Sequence, residues 1–450
     1  MNAPAQFVSI ATDPRDRVGR SRRVAVIGSG IAGLASAWLL SRRHRVTLFE
    51  AGSYLGGHTN TVDVSVEGQI FPVDTGFLVC NERTYPNLIP MFRHLGVELV
   101  ASEMSFAVSL QQPALEWSGS SLATLFAQKR NLARPGFWRM IQDILRFNRE
   151  TQGDLPAGNL GAYLDAHRYS REFRDWYLLP MAAAIWSCPT ETMLAYPLST
   201  FVRFCRNHGL LQIADRPQWL TVKGGGREYV KKLAAGLSDV RVSCPVSAVM
   251  PAGSDILLRL GNGTVERFDD VIFACHSDQT LALLGKHATS AERDILAAVK
   301  YQPNRAVLHT DTALLPRDPR VWSAWNYLAG DGGSGEQPVS VSYLLNRLQP
   351  LPVATPVVVT LNPIREPHPA EVLADFDYAH PVFDLAAIDA QTKLGQIQGS
   401  RGLWFCGAWT GFGFHEDGLR SALTVANAWG EYAPWQQAGV PVNSGSPVAA

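Results

Sequence analysis

The 450-residue chain carries 40 basic and 40 acidic side chains, so no net field draws it to nucleic acid or other polyanions. Apolar residues make up 46% and charged residues 18%, which excludes a disordered chain and supplies a core for two or three domains. The six cysteines (Cys80, Cys188, Cys205, Cys244, Cys275 and Cys406) form no CxxC pair, and no histidine cluster has metal spacing, which disfavours a disulfide scaffold or a zinc site.

Residues 1–22 are polar and arginine-rich, without a signal-peptide core, and no apolar run reaches the ~18 residues of a membrane span. A cytoplasmic chain with flexible ends over 1–19 and 436–450 is expected. Residues 23–50 read strand, glycine turn, helix, strand, a βαβ unit that opens a parallel sheet. Its turn, Gly28-Ser29-Gly30-Ile31-Ala32-Gly33, fits GxGxxG. The first glycine permits the tight turn, the second lets the backbone approach a diphosphate, and the third lets helix and strand pack closely. The helix N-terminus adds free N–H groups and a favourable dipole for the anion. Glu50, at the end of the second strand, is placed to accept hydrogen bonds from a ribose diol. A glycine turn alone also arises for structural reasons; here strand, helix and carboxylate agree on a dinucleotide site.

Residues 62–74 alternate as a hairpin turning at Glu67-Gly68. From about Glu82 to His208 the pattern is mostly helical, in TYPNLIPMFRHLG, LATLFAQKR, GFWRMIQDILRFNRE, LGAYLDAH and FRDWYLLPMAAAIW. Strands return over 240–275 and in RAVLHT, SVSYLL and VVVTL within 300–362, split by a glycine-rich loop at 330–335. Residues 402–429 read strand, loop, helix. The dinucleotide-like sheet pieces thus lie at both ends and in the middle, which predicts a discontinuous nucleotide domain interleaved with a second one.

Gly56-Gly57 offer a second close backbone approach soon after Glu50, as a ligand longer than the first loop requires; extended FAD provides one. GSGIAGL…FEAGSYLGG resembles the amine oxidase, protoporphyrinogen oxidase and phytoene desaturase flavoprotein superfamily. Four further segments carry the same resemblance. They are Asp74-Thr75-Gly76-Phe77 beside the flavin ring, Pro245-Val246 against adenine, Val271–Ala274 closing the FAD domain, and 402–429 at the flavin N1–C2 edge. A helix N-terminus at that edge would stabilise the negative charge of reduced flavin.

The resemblance implies an α/β fold, with a discontinuous Rossmann-like FAD-binding domain (20–80, 215–295 and 395–435) interleaved with an α+β substrate domain (81–214 and 296–394). It implies FAD contacts from Gly28, Gly30, Ile31, Ala32, Gly33, Glu50, Ala51, Gly56, Gly57 and His58. Further contacts are implied from Thr75, Gly76, Phe77, Val246, Gly407, His415, Asp417, Gly418 and Leu419. More narrowly, PMAAAIWSCP, NHGLL and TVKGGGREYV resemble a bacterial group of predicted FAD-binding proteins often associated with fatty-acyl modification.

The sequence departs from the family at several positions. His58 stands where amine oxidases carry arginine. Arg305 is the approximate match to a lysine near flavin N5, and it stays protonated. No cysteine occupies the position of covalent attachment in monoamine oxidases, so FAD is expected to be non-covalent, with Cys406 a core thiol. The departures favour desaturation or another hydride removal, and the association of that bacterial group implies a hydrophobic substrate such as a fatty-acyl or other lipid. An amine oxidase on a soluble amine and a flavin-dependent isomerase, mutase or non-redox flavoprotein stay open; an NAD-dependent dehydrogenase is disfavoured by the second glycine pair.

His415 and Arg305 are the catalytic candidates. Glu416 and Asp417 suit helix capping in a first turn. Lys223-Gly224-Gly225-Gly226 reads either as a loop beside the flavin or as a tight strand-to-helix turn. Ile185-Trp186-Ser187 and the aromatics of 173–204 are candidates for an apolar pocket. The basic, aromatic stretch 122–150 is a candidate for peripheral membrane contact, with a solvated helix face as the alternative.

Overall fold

The computed structural model describes residues 21–186, 190–207, 209–211, 217–329 and 340–436. The expected flexible ends (apart from Gln436), the glycine-rich loop at 330–335, Ser187, Cys188 and His208 lie outside the described residues.

Five parallel strands make the first sheet, in the spatial order Leu403–Phe405, Asp270–Phe273, Arg23–Ile27, Arg45–Phe49, Asp239–Arg241. Parallel strands are covered on both faces, so they read as continuous apolar runs; Val24, Ala25 and Val26 are fully buried. The first helix, Ile31–Leu40, is buried on nearly every side. The last helix, His415–Ala428, lies against it. This contact is close at Gly418, where a Cβ would come within 2.8 Å of Ile31 Cγ2. The three chain segments that build this sheet alternate with those of the second, as the fold class requires.

The second sheet has seven strands, ordered Val372–Val382, Lys300–His309, Val358–Leu361, Ser340–Leu344, Trp325–Ala329, Phe106–Leu110, Leu115–Ser118. All its pairings are antiparallel except that between Trp325–Ala329 and Phe106–Leu110. Phe106–Leu110 and Leu115–Ser118 correct the expectation of a mostly helical 82–208, and the edge strand Val372–Val382 was not expected. Leu115–Ser118 is four buried residues with no alternation to betray it. Val372–Val382 lies at a sheet edge with only Tyr378 buried, and such an edge tolerates Pro381.

The hairpin Thr61–Val66 and Gln69–Asp74 turns at Glu67 and Gly68, both left-handed with φ of 53° and 73°. Four of the five expected helices form, at Leu88–Leu95, Pro135–Glu150, Leu160–Ala166 and Leu179–Trp186. LATLFAQKR does not hold as one helix; it supplies Leu122–Leu125, started by Ser121 accepting from the Thr124 N–H, and the first two residues of the 3-10 helix Lys129–Ala133. No helix among the described residues is long and apolar enough to cross a membrane.

Gly33 sets the distance between the first helix and its turn. A Cβ there would lie 1.9 Å from the Gly28 carbonyl oxygen. That neighbour is backbone and has no side-chain freedom with which to yield. Gly33→Ala is therefore expected to cost more than about 2 kcal/mol of unfolding free energy, read from the denaturant midpoint. An unchanged midpoint would contradict this packing.

Candidate flavin site

A cavity of about 730 Å³ opens at the carboxyl ends of the parallel strands. Ligands of open α/β sheets bind at this edge. Gly28, Gly30, Ile31 and Ala32 line it from the turn, Glu50 and Ala51 from the second strand end, and Gly56, Gly57 and His58 from the following loop. Thr75, Gly76 and Phe77 enter after the hairpin, Val246 from a small three-stranded sheet (Val246–Ala252, Asp255–Leu260, Val265–Phe268), and Gly407 and His415 from the final strand-loop-helix.

Gly30 is the most open position of the turn. Its φ is −62°, and an added Cβ would meet nothing within 4 Å. Glu50 is tied to the same turn: Oε2 accepts from the Ser29 N–H at 2.9 Å and from the Ser29 hydroxyl at 2.6 Å, and Oε1 accepts from the Gly52 N–H at 2.8 Å. The carboxylate therefore stiffens the cradle as well as facing the cavity.

Four expected contacts do not line the cavity. Gly33 packs beneath the turn, and Gly418 packs the last helix on the first. Leu419 is fully buried core. Asp417 accepts from the Phe412 and Phe414 N–H groups and pairs with Arg420 at 2.6 Å, so it shapes the loop that carries the aromatic wall. Glu416 caps a different helix, accepting from the Asn87 and Leu88 N–H groups.

Arg305 is a correction. Its side chain is 41% exposed and bound by Asp375 on the edge strand and Glu366 on the loop before it, and it lies outside the cavity lining. Two carboxylates around one cation explain the placement, and they raise its pKa further. Lys223–Gly226 also lies outside the lining, as the turn between the strand Trp219–Val222 and the helix Arg227–Ala234. Asp74 holds that turn, accepting from the Gly226 N–H at 2.9 Å and from the Thr61 hydroxyl at 2.5 Å; burial pushes its pKa up to about 6.

His415 does face the cavity. Its Nε2 sits 2.8 Å from Thr59 Oγ1 and 3.0 Å from the Tyr229 hydroxyl, and its ring stacks on Phe77 at 3.9 Å. Desolvation lowers its pKa to about 3, so it is neutral at physiological pH. Of the aromatics of 173–204 only Trp186 and Phe204 line the cavity, while Phe173, Trp176, Tyr177, Tyr196 and Phe201 do not; Trp186 lies 4.6 Å from Phe204, and Phe204 stacks on Phe414 at 4.9 Å. Ile185 joins them, while Cys406 is fully buried core away from the lining.

Sequence reasoning missed His276, Tyr301, Tyr378 and His380, all of which line the cavity. His276 follows a strand of the parallel sheet by three residues, a placement that could have flagged it. The other three stand on strands of the second sheet, where only the tertiary fold brings them in.

Gly30→Ala separates ligand from scaffold. Stability should stay within about 0.5 kcal/mol of the parent, because the new methyl meets only open space. Dinucleotide affinity, followed by quenching of flavin fluorescence, should fall at least about tenfold, because the methyl fills the approach of the diphosphate. Unchanged affinity would remove the turn from the site.

The flavin containing amine oxidoreductase family matches residues 31–308. The carotenoid phi-ring synthase of Chlorobaculum tepidum is 29% identical over 173 residues, covering 36% of this chain and 24% of that protein; the matched part is thus about a quarter of its length. Among solved structures, cyclohexylamine oxidase from Brevibacterium oxydans IH-35A superposes with a TM-score of 0.64 at 16% identity, covering 91% of this chain and 99% of the other. The CLA-producing fatty acid isomerase from P. acnes superposes with a TM-score of 0.63 at 13% identity, covering 90% and 98%. At such identities the superpositions speak for the fold, and the family match runs from the first helix into the second sheet. The chain belongs to the flavin containing amine oxidoreductase family and is a flavoenzyme of that fold.

Proposed function

We propose that this enzyme holds FAD non-covalently and removes a hydride from an uncharged, hydrophobic substrate of lipid or fatty-acyl character, on the cytoplasmic side of the cell. The carrying observation is electrostatic. Among the described residues that line the cavity there is no lysine or arginine, and the single carboxylate, Glu50, is already engaged by Ser29 and Gly52. A substrate ammonium would enter without a free counter-charge, and so would a fatty carboxylate; burying either unpaired is costly. Leu78, Ile185, Trp186, Phe204, Trp325 and Tyr343 instead offer apolar surface.

The residues fit the cofactor. The open space at Gly30 and the helix N-terminus suit a diphosphate, Glu50 a ribose, and the Val246 strand an adenine. Gly407 and the N-terminus of the last helix face the same cavity at the position implied for the flavin ring. When bound, flavin supplies the hydride acceptor. The chain's own part is to orient an apolar chain and keep water out. His415, neutral and held by Thr59 and Tyr229, maintains the wall rather than carrying charge. Non-covalent binding is supported by Cys275, whose thiol desolvation pushes up to about 11, so the nucleophilic thiolate is disfavoured.

The fold neighbours divide on substrate: one is named for a fatty acid, one for an amine. Anaerobic flavin bleaching decides between them. Lipid extract should bleach the bound flavin and an amine panel should not, and acid precipitation should release the flavin intact. Bleaching by amines with hydrogen peroxide release in air would overturn the substrate class. Lipid conversion with no electrons delivered to any acceptor would instead make the enzyme an isomerase.

A lipid substrate also gives meaning to the 122–150 face. Leu122, Leu132, Trp138 and Leu145 are exposed there, beside Lys129, Arg130 and Arg134. Trp138 and Leu145 are seven residues apart on the helix Pro135–Glu150, and so share one stripe. Phe137, Met140 and Phe147 fill the opposite, inward side. We expect the protein to float with anionic vesicles and not with zwitterionic ones. Trp138→Asp with Leu145→Asp should weaken that binding at least about tenfold. Equal binding by parent and double variant would assign this face to solvent.

A further inference from the structure

A second cavity, of about 520 Å³, lies at the tip of the hairpin formed by Phe106–Leu110 and Leu115–Ser118, and it shares no lining residue with the flavin cavity. Its wall carries four guanidinium groups, from Arg130, Arg317, Arg320 and Arg365, against two carboxylates, Glu116 and Asp318. The flavin site makes no use of this excess of positive charge. Glu116 gives the groove a fixed floor. Its buried carboxylate accepts from the Ser109 hydroxyl at 2.9 Å, the Arg317 N–H at 2.7 Å and the Asp318 N–H at 3.1 Å. Its own N–H donates to the Gln128 side chain at 3.1 Å. One residue thus ties the hairpin, the 317–318 bend and the segment before Lys129–Ala133 together, and those donors use most of its acceptor capacity.

The four arginines are not equally committed. Arg320 is taken by Asp318, to which it donates from Nε and from a terminal nitrogen. Arg365 only approaches Asp311, at 3.9 Å, and Asp311 already accepts from the Ala313 and His368 N–H groups. Arg130 is bound to neutral acceptors, the Ala114 carbonyl at 3.0 Å and the Gln128 amide oxygen at 3.2 Å. Arg317 is engaged through its backbone alone among the described residues. Three cations therefore line one groove without a close carboxylate, and an anion seated among them relieves their repulsion. Planar guanidinium forks favour an oxyanion that accepts two N–H groups at once.

The surroundings indicate which oxyanion. Arg130 and Arg134 donate to the same Ala114 carbonyl, each at 3.0 Å, so the groove opens beside the start of the helix Pro135–Glu150. Leu132 and Trp138 are exposed directly after it, with the Trp138 indole donating to the Leu132 carbonyl at 2.9 Å. Ile364, also exposed, lines the groove next to Arg365. Guanidinium groups bordered by exposed apolar side chains match a layer of phosphates lying over acyl chains.

We propose that this groove seats the phosphodiester of an anionic phospholipid headgroup while Leu132 and Trp138 enter the acyl boundary, so that the protein docks on a membrane in one orientation. The inference rests on the membrane reading of the 122–150 face above and adds to it a site for one lipid headgroup. Arg317 and Arg365 stand on loops outside that face, and a basic helix attracted to an anionic surface does not need them. A headgroup site does, because they supply the forks that no close carboxylate occupies.

The experiment floats the full-length protein with vesicles of phosphatidylcholine, with and without phosphatidylglycerol. The parent should float only with the mixed vesicles. Arg317→Gln with Arg365→Gln should weaken that binding at least about tenfold more than Lys129→Gln with Arg149→Gln, which removes the same charge from the helical face alone. Arg317→Lys with Arg365→Lys keeps the charge and loses the forks, so it should bind at least about threefold more weakly than the parent. All four substituted positions are exposed, so the variants should fold. Equal losses from the two glutamine pairs, or full binding by the lysine pair, would reduce the groove to diffuse charge and overturn the site. Calorimetry with sn-glycerol 3-phosphate tests the other source of the same chemistry. Saturation at micromolar concentration without vesicles would overturn the lipid and give the groove to a soluble phosphate ester. A parent that floats with neither vesicle would overturn the membrane reading beneath the proposal. Flotation needs no turnover, so it decides the groove whether or not lipid reduces the flavin.

Discussion

The contact between Gly33 and the Gly28 carbonyl is the constraint on which the rest of the molecule is arranged. It draws the first helix so close to its turn that the helix N-terminus looks straight into the cavity. The helix is then buried on nearly all sides, with the parallel sheet beneath and the last helix above it. Because the last helix packs on the first through Gly418 and Ile31, the loop carrying Gly407, Phe412 and Phe414 is held over the same opening. One backbone approach thus sets both ends of an extended ligand site, although the residues concerned are almost four hundred positions apart.

The second governing feature is where the ionised groups are put. The buried carboxylates of Asp74, Glu416 and Asp417 all lie off the cavity lining. Asp74 holds the glycine turn before the helix Arg227–Ala234, Glu416 caps the helix Leu88–Leu95, and Asp417 shapes the aromatic loop. Burial raises the pKa of each, to about 6 for Asp74 and about 7 for Glu416, and their backbone donors work against that shift. The cavity is left with neutral histidines, aromatics and one carboxylate bound to backbone. On the proposed reading, such a site favours a substrate with no charge.

The dinucleotide half of the site was legible in the sequence because its signals are local. GxGxxG, the strand-end Glu50 and the pair Gly56-Gly57 each act through backbone a few residues away, and all these residues except Gly33 reach the cavity. Gly33 has the packing role its motif assigns. The substrate half was harder to read. Tyr378 and His380 stand on an edge strand whose polar alternation hides it, and they reach the cavity only through pairing with Lys300–His309. Arg305 was misread for the same reason: Asp375, which claims it, lies on that partner strand and Glu366 on the loop before it. His58 was singled out as the departure from relatives, but its burial and unpartnered Nε2 could be seen only in three dimensions.

The central claim is that an uncharged substrate compartment adjoins the flavin. It is tested most directly by anaerobic reduction of the bound flavin with three compounds that share one unsaturated hydrocarbon skeleton and end in a methyl ester, an amine or a carboxylate. The account predicts that the ester reduces the flavin, with a ratio of reduction rate constant to Kd at least about tenfold above either charged compound. An amine that matches or exceeds the ester would contradict it.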